Sequence, residues 1–277
     1  MPHIAILMTV HNRCEKTIQC LRHLMAQEID HTIQWHLYLT DDGCSDNTVA
    51  EVKKVLPETT IIQGDGNLYW NRGMYEAWKA ATHDKAVYDF YLWLNDDTML
   101  LSSAIHHLIE CSAKKNHQAI IAGCISSTHE PFITTYGGRT PKGWITCTGT
   151  MQKLRLMHGN AVLIPHYIYN KVGMNDPYYR HAFGDYDYAL TASSKGLDTF
   201  TTENFVGRCN IDHKHPICFN RHHSLKERFT YLYSPTSYYH PTDAFYFDRK
   251  HNGLFTAIGR YVYLHLCCLF PAIWKGE

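Results

Sequence analysis

The sequence predicts an α/β fold with a mostly parallel central sheet flanked by helices, and three observations carry the prediction. Short apolar runs alternate with segments of helical period through about residue 125. Four of those runs end in acids or amides, as strands do where a sheet edge binds a ligand. The pattern then changes, and beyond Ser224 the chain reads as helical and aromatic.

HIAILMTV (3–10) is the first strand, and apolar residues at helical spacing follow over 14–26. WHLYLT (35–40) is the second. Ser45 and Asp46 cap a helix through about Val55, which stops before Pro57. TTIIQ (59–63) is the third strand, 71–82 a helix, and DFYLWL (89–94) the fourth strand. A helix follows from about Ser102, then a strand at AIIAGC (119–124). TPKGW (140–144) reads as a turn in a β-rich segment, and NAVLIP (160–165) as a strand running into a helix. Residues 185–195 are helical and end at Gly196; 207–223, rich in His, Cys and Asn, read as a loop.

Composition bounds the partners. The chain has 277 residues with 26 Lys plus Arg and 26 Asp plus Glu, so charge names no polyanion and no nucleic-acid partner is expected. The ten cysteines include no C-x-x-C pair, so no structural zinc site is expected. The N-terminus enters an apolar strand directly, without the marks of a secretory signal, and the cysteines are read as reduced thiols of a cytoplasmic protein. No apolar run reaches the ~18 residues of a membrane span. The nearest, 261–274, is interrupted by His265 and Pro271 and is either a buried terminal helix or an interfacial anchor.

The strand ends hold the candidate chemistry. They carry Thr9, His11, Asn12 and Arg13, then Asp41 and Asp42, then Asp65, Gly66 and Asn67, then Asn95, Asp96 and Asp97. In LWLNDDTML (92–100) two carboxylates leave a buried strand, which is costly unless a cation or donors compensate them. A hard divalent cation suits such oxygens and takes diphosphate oxygens too; a helix cap is the plainer explanation of the same residues. In TDDGCSDNT (40–48) an acid accepts the imide N–H of a uracil or thymine, or else builds a turn and a cap. The first turn, VHNRCEKT, has no glycine. That argues against a nucleotidyltransferase and against a dinucleotide-dependent oxidoreductase.

VHNRCEKTIQCL, LTDDGCSDNT and LWLNDDTML, in this order, resemble the motifs of inverting family 2 glycosyltransferases. GDGNLYWNRGMYEAW (64–78), NAVLIPHYIYNKVG (160–173), RHAFGDYDYALTASSKG (180–196) and SLKERFTYLYSP (224–235) with FDRKH (247–251) look like the rhamnosyltransferase-like branch. The resemblance covers nearly the whole chain. It implies a GT-A fold, with a catalytic domain at 1–210 and a loop plus helical C-terminal appendage at 211–277 that covers the acceptor site.

Carried over by residue, the resemblance makes Asp42 the base contact and Asp96 the ribose contact, with Thr9, Asn12, Asn67 and Asn95 in the donor site. Asn71 and Arg72 lie near the donor phosphates or sugar, beside Tyr69 and Trp70. Asp97 holds Mn2+ or Mg2+, with His213 or His215 as a further ligand. Asp185 is the general base, in a Gly184-Asp185 pair where the family more often has Glu-Asp. The implied partners are a nucleotide-diphosphate sugar, dTDP-rhamnose or a UDP-sugar, and a lipid-linked saccharide acceptor of cell-surface polysaccharide synthesis. The tail then makes a peripheral contact at the inner membrane face or a homodimer contact. A catalytically silent carbohydrate-binding or scaffold protein of this fold is the alternative, against which Asp97 and Asp185 weigh.

Overall fold

Strand β1, His3–Val10, has five consecutive residues with no solvent exposure, Ile4 to Met8, because it lies inside a sheet covered on both faces. In this computed structural model, residues 1–28, 33–211 and 216–274 are described. Helix α1 (Cys14–Met25) buries Thr17, Ile18, Cys20, Leu21 and Leu24, one stripe at helical spacing. Then come β2 (Gln34–Asp41), α2 (Thr48–Val55), β3 (Thr60–Gln63), α3 (Tyr69–His83) and β4 (Phe90–Leu94). β4 leads through β5 (Met99–Leu100) and α4 (Ala104–Ala113) to β6 (Ala119–Ser126). The N-cap of α2 is Asn47 rather than the expected Ser45 or Asp46, and Asp46 supports the helix start by accepting the Thr48 N–H on its Oδ1 at 3.0 Å.

β1 pairs in parallel with β2 and β4, and β2 with β3, so these strand ends meet on one edge. The predicted turn at 140–144 lies in a small sheet of β8 (Gly138–Thr140), β9 (Gly143–Trp144) and β11 (Leu156–Met157), beside the short β7 (Thr134–Tyr136) and β10 (Lys153–Leu154). β12 (Ala161–Pro165) inserts antiparallel between β4 and β6, then enters α5 (His166–Val172). α6 (Gly184–Ser194) leads to β13 (Asp198–Arg208), which runs parallel to β6 with two register shifts. This strand is absent from the sequence reading, and it takes two residues from the expected loop.

Two apolar layers sandwich the sheet. One gathers α1 and α4 residues such as Leu21, Leu24, Ile105 and Leu108; the other centres on Trp78 and Trp93 with Tyr188. A third cluster joins Tyr179, Ala182 and Phe183 to the C-terminal helices α7 (Leu225–Leu232), α8 (Pro241–His251) and α9 (Leu254–Leu269). The appendage is thus fastened to the segment that immediately precedes Asp185. Among the described residues no helix is long and apolar enough to cross a membrane, and all ten cysteines are free thiols.

Candidate active site

The end of β4 is organised by a cation from the first loop. Arg13 donates from Nη1 to Asp96 Oδ1 at 3.1 Å and from Nη2 to Asp97 Oδ2 at 2.6 Å. Asp96 is buried and also accepts from Thr17 Oγ1 at 3.3 Å. Burial pushes its carboxyl up to about 6, against the pull of Arg13. Asp97 keeps 20% of its side chain exposed against 6% for Asp96, so Asp97 is the more accessible of the two acids. Asn95 Oδ1 accepts the indole N–H of Trp70 at 2.7 Å.

The other expected donor-site residues line the same edge, several with side chains turned inward. Asn12, at φ 50°, accepts the N–H groups of Ser45 and Asp46 on its Oδ1 and so ties the first two strand-end loops together. Thr9 lies under α3: a Cβ at Gly73 would fall 2.1 Å from its Oγ1, and glycine lets the helix approach. Asp42 accepts from the N–H groups of Gly66, Leu68 and Tyr69 and shapes the loop that holds the exposed Asn67. Asn71 is fully buried; its Nδ2 donates to the carbonyls of Asp176 and Tyr179. Arg72 donates to the carbonyls of Pro177 and Tyr178. Asn71 and Arg72 therefore bear on the site through the 176–180 segment that they hold. His213 and His215 lie outside the described residues.

Asp185 stands in the first turn of α6, after Phe183 at φ 70°. It is partly buried, and its oxygens accept the N–H groups of Tyr186 at 2.8 Å and Gly159 at 3.1 Å. Burial pushes its carboxyl up to about 6 despite those donors. A Cβ on Gly184 would fall 1.9 Å from Asn71 Oδ1, so no side chain fits before the acid. That packing accounts for glycine before the acid, where the family more often has glutamate.

Sequence reasoning missed Tyr238, His181, His158 and Trp144. Tyr238 arrives from the appendage, is 48% exposed and packs edge-on against His181 with ring centres 5.7 Å apart. Partial loss of solvent, then the charges of Asp185, Tyr231 and Asp97, push its phenol up to about 12. His158, next to the Gly159 donor, stacks on the exposed Trp144 at 5.3 Å and meets the Tyr186 hydroxyl at 3.3 Å. An aromatic wall therefore runs from Trp144 to Asp185. No spacing in the sequence signals either set, because only tertiary packing assembles them. Among the described residues, three of the five non-glycine residues with positive φ, Asn12, Tyr69 and Phe183, sit around this edge.

The donor set fits a divalent cation of the magnesium or manganese kind. Asp97 offers hard oxygen and has one oxygen paired with Arg13, while Asp96 is bonded to both Arg13 and Thr17. Such ions are held by one or two carboxylates together with substrate phosphates.

A sequence model described as glycosyl transferase family 2 matches residues 5–178. No curated protein matches the chain. Among solved structures, the mannosyltransferase PcManGT from Pyrobaculum calidifontis, in complex with GDP-Man and Mn2+, superposes with a TM-score of 0.59 at 12% identity over 99% of this chain and 81% of that one. The crystal structure of S. aureus TarS superposes at 0.56 with 10% identity over 96% of this chain. This chain spans only 44% of TarS. At these identities the two likenesses are of fold.

Proposed function

The chain belongs to glycosyl transferase family 2, and from that membership we propose a metal-assisted, inverting transfer of a sugar from a nucleotide-diphosphate donor to a saccharide acceptor. The observation that supports it is the hold on Asp185: in the first turn of α6 its carboxylate accepts the N–H groups of Tyr186 and Gly159, and burial pushes it up to about 6. A carboxylate of that basicity is ionised at neutral pH and is a better proton acceptor than an ordinary aspartate. Asp185 takes the acceptor hydroxyl proton as the oxygen attacks the anomeric carbon and the bond to the diphosphate breaks. Mn2+ or Mg2+ on Asp97 supplies charge neutralisation to the leaving diphosphate. Asp42, Asn12, Asn67, Asn95 and Asp96 build the donor side, with Thr9, Asn71 and Arg72 behind them.

The donor is dTDP-rhamnose, with a UDP-sugar as the second choice. The acceptor is a lipid-linked saccharide in cell-surface polysaccharide synthesis at the inner membrane face. A thermal-shift series with dTDP, UDP and GDP, with Mn2+ and with chelator, tests the core of this reading. One nucleotide is expected to raise Tm only with the metal, since a ligand of the native state stabilises it. No shift with any nucleotide, together with no nucleotide release from any of the sugar donors, would reject it.

A further inference from the structure

Away from the strand ends, α4 and β13 bring three metal-ligating side chains together on the outer side of the sheet. His107 and Cys111 lie four residues apart on α4 and so share one face. Glu203 comes from β13, between the two residues, Thr201 and Phe205, that bracket its first register shift. A bulge re-aims side chains, and this one turns the 203–204 segment toward the helix. One ligand atom from each of His107, Cys111 and Glu203 lies within 4.8 Å of the others. His107 Nε2 is 3.8 Å from Cys111 Sγ and accepts the Asn204 N–H at 3.3 Å, so its lone pair points to this side and a metal would take the place of that long bond.

The surroundings are those of an oriented site. Glu110 Oε2 lies 3.6 Å from Nδ1, the other ring nitrogen of His107, and places a negative charge behind the ring. Lys114 holds Glu203 Oε2 and limits its motion. Cys111 is fully buried, while His107 and Glu203 keep 15% and 26% of their side chains exposed. A cavity of about 190 Å³ lined by Ser103, His106, His107, Glu110, Asn204 and Phe205 opens onto His107.

We propose that His107, Cys111 and Glu203 bind a divalent transition-metal ion of the zinc class, with water as the fourth ligand. Thiolate, imidazole and carboxylate in one set select zinc or cobalt over magnesium or calcium. Binding transfers the Cys111 thiol proton to solvent and forms the metal–sulfur bond. The ion clips α4 to β13, whose far end pairs with β5 just beyond Asp97. Such a site leaves no C-x-x-C signature in the sequence, because a lone cysteine is completed by a ligand from another element.

Co2+ titration of the full-length, chelator-treated protein tests this. The expected result is a sulfur-to-cobalt charge-transfer band, removed by added Zn2+, lost in Cys111→Ser and kept in Asp97→Ala. Because Cys111 is buried, Glu203→Gln on the surface is the second variant; it should fold and weaken Zn2+ at least ~10-fold. No charge-transfer band in the wild type, or one that persists in Cys111→Ser, overturns the proposal. So does unchanged Zn2+ affinity in folded Glu203→Gln.

Discussion

Arg13 Nη2 lies 2.6 Å from Asp97 Oδ2, so the acid assigned to the metal already has a cation from its own chain. The same guanidinium holds Asp96, and it keeps two neighbouring carboxylates from repelling one another. Arg13→Gln should therefore destabilise the metal-free protein by about 1–2 kcal/mol. That is below the range for breaking a fully buried pair, because Arg13 is 37% exposed and solvent screens it. Mn2+ should restore part of the loss. Melting curves in chelator and in Mn2+ read both effects. Equal Tm values for variant and wild type in chelator would show that the pair carries no stability.

Asp97→Ala is expected to abolish transfer and to weaken nucleotide-diphosphate binding only when Mn2+ or Mg2+ is present. Calorimetric titration with and without chelator gives the comparison. If wild-type affinity is the same in both conditions, no cation bridges protein and diphosphate.

Asp185→Asn should lower transfer by at least ~10²-fold with donor binding nearly intact. It should also stabilise the fold at neutral pH. The folded carboxyl titrates near 6, above its ordinary value of 3.8, so ionising it costs more in the native state than in the unfolded one. The native state is thus favoured by this group below about pH 4, and that advantage is lost as pH rises through 6. The neutral amide avoids a cost of about 2–3 kcal/mol at pH 7. Its Tm advantage should shrink on going to pH 4, and wild-type activity should fall as pH drops below 6. A loss confined to the donor KM, or a Tm gap independent of pH, would assign Asp185 to another role.

Much of the sheet was legible because its strands are near-continuous apolar runs such as 3–10 and 89–94, which few other environments tolerate. β13 was not, because DTFTTENFVGR carries Glu203 and Asn204 inside a bulge and breaks both alternation and apolar run. At the site, residue types were readable and orientations were not. Asp42 and Asn71 looked like ligand groups, yet their polar atoms are taken up by backbone partners that no spacing names. Tyr238 was invisible because the appendage reaches the opening only through the cluster it shares with Phe183.

Gly184→Ala isolates that hidden packing. The new methyl would overlap the Asn71 side chain, whose amide oxygen and carbon lie 1.9 and 2.5 Å from the ideal Cβ. Asn71 must then leave its buried bonds to Tyr179 and Asn175 and its part-buried bond to Asp176. Several lost buried bonds put the cost at about 2–4 kcal/mol. Denaturant unfolding measures it, and the double variant Gly184→Ala with Asn71→Ala should lose less than the sum of the singles. Additive losses would mean that the two residues do not meet as described.

The tail allows the sharpest choice between partners. α9 buries Ala257, Leu264, Cys267 and Cys268 on one side, so deleting it would strip the third core cluster and say little about docking. Its other side shows Leu254, Phe255, Ile258, Val262 and Leu266 to solvent, with Phe255 90% exposed. Residues 249–274 contain no acid, and Arg249 is exposed beside the stripe. Such a face suits an anionic membrane surface, which a lipid-linked acceptor would make useful. The full-length protein should therefore co-sediment with anionic liposomes. Phe255→Glu with Val262→Glu should remove that binding and leave Tm unchanged, because both side chains point away from the core. Binding that survives the double change would take the membrane contact elsewhere. No binding, with a wild-type dimer that dissociates on the double change, would make the stripe a subunit interface.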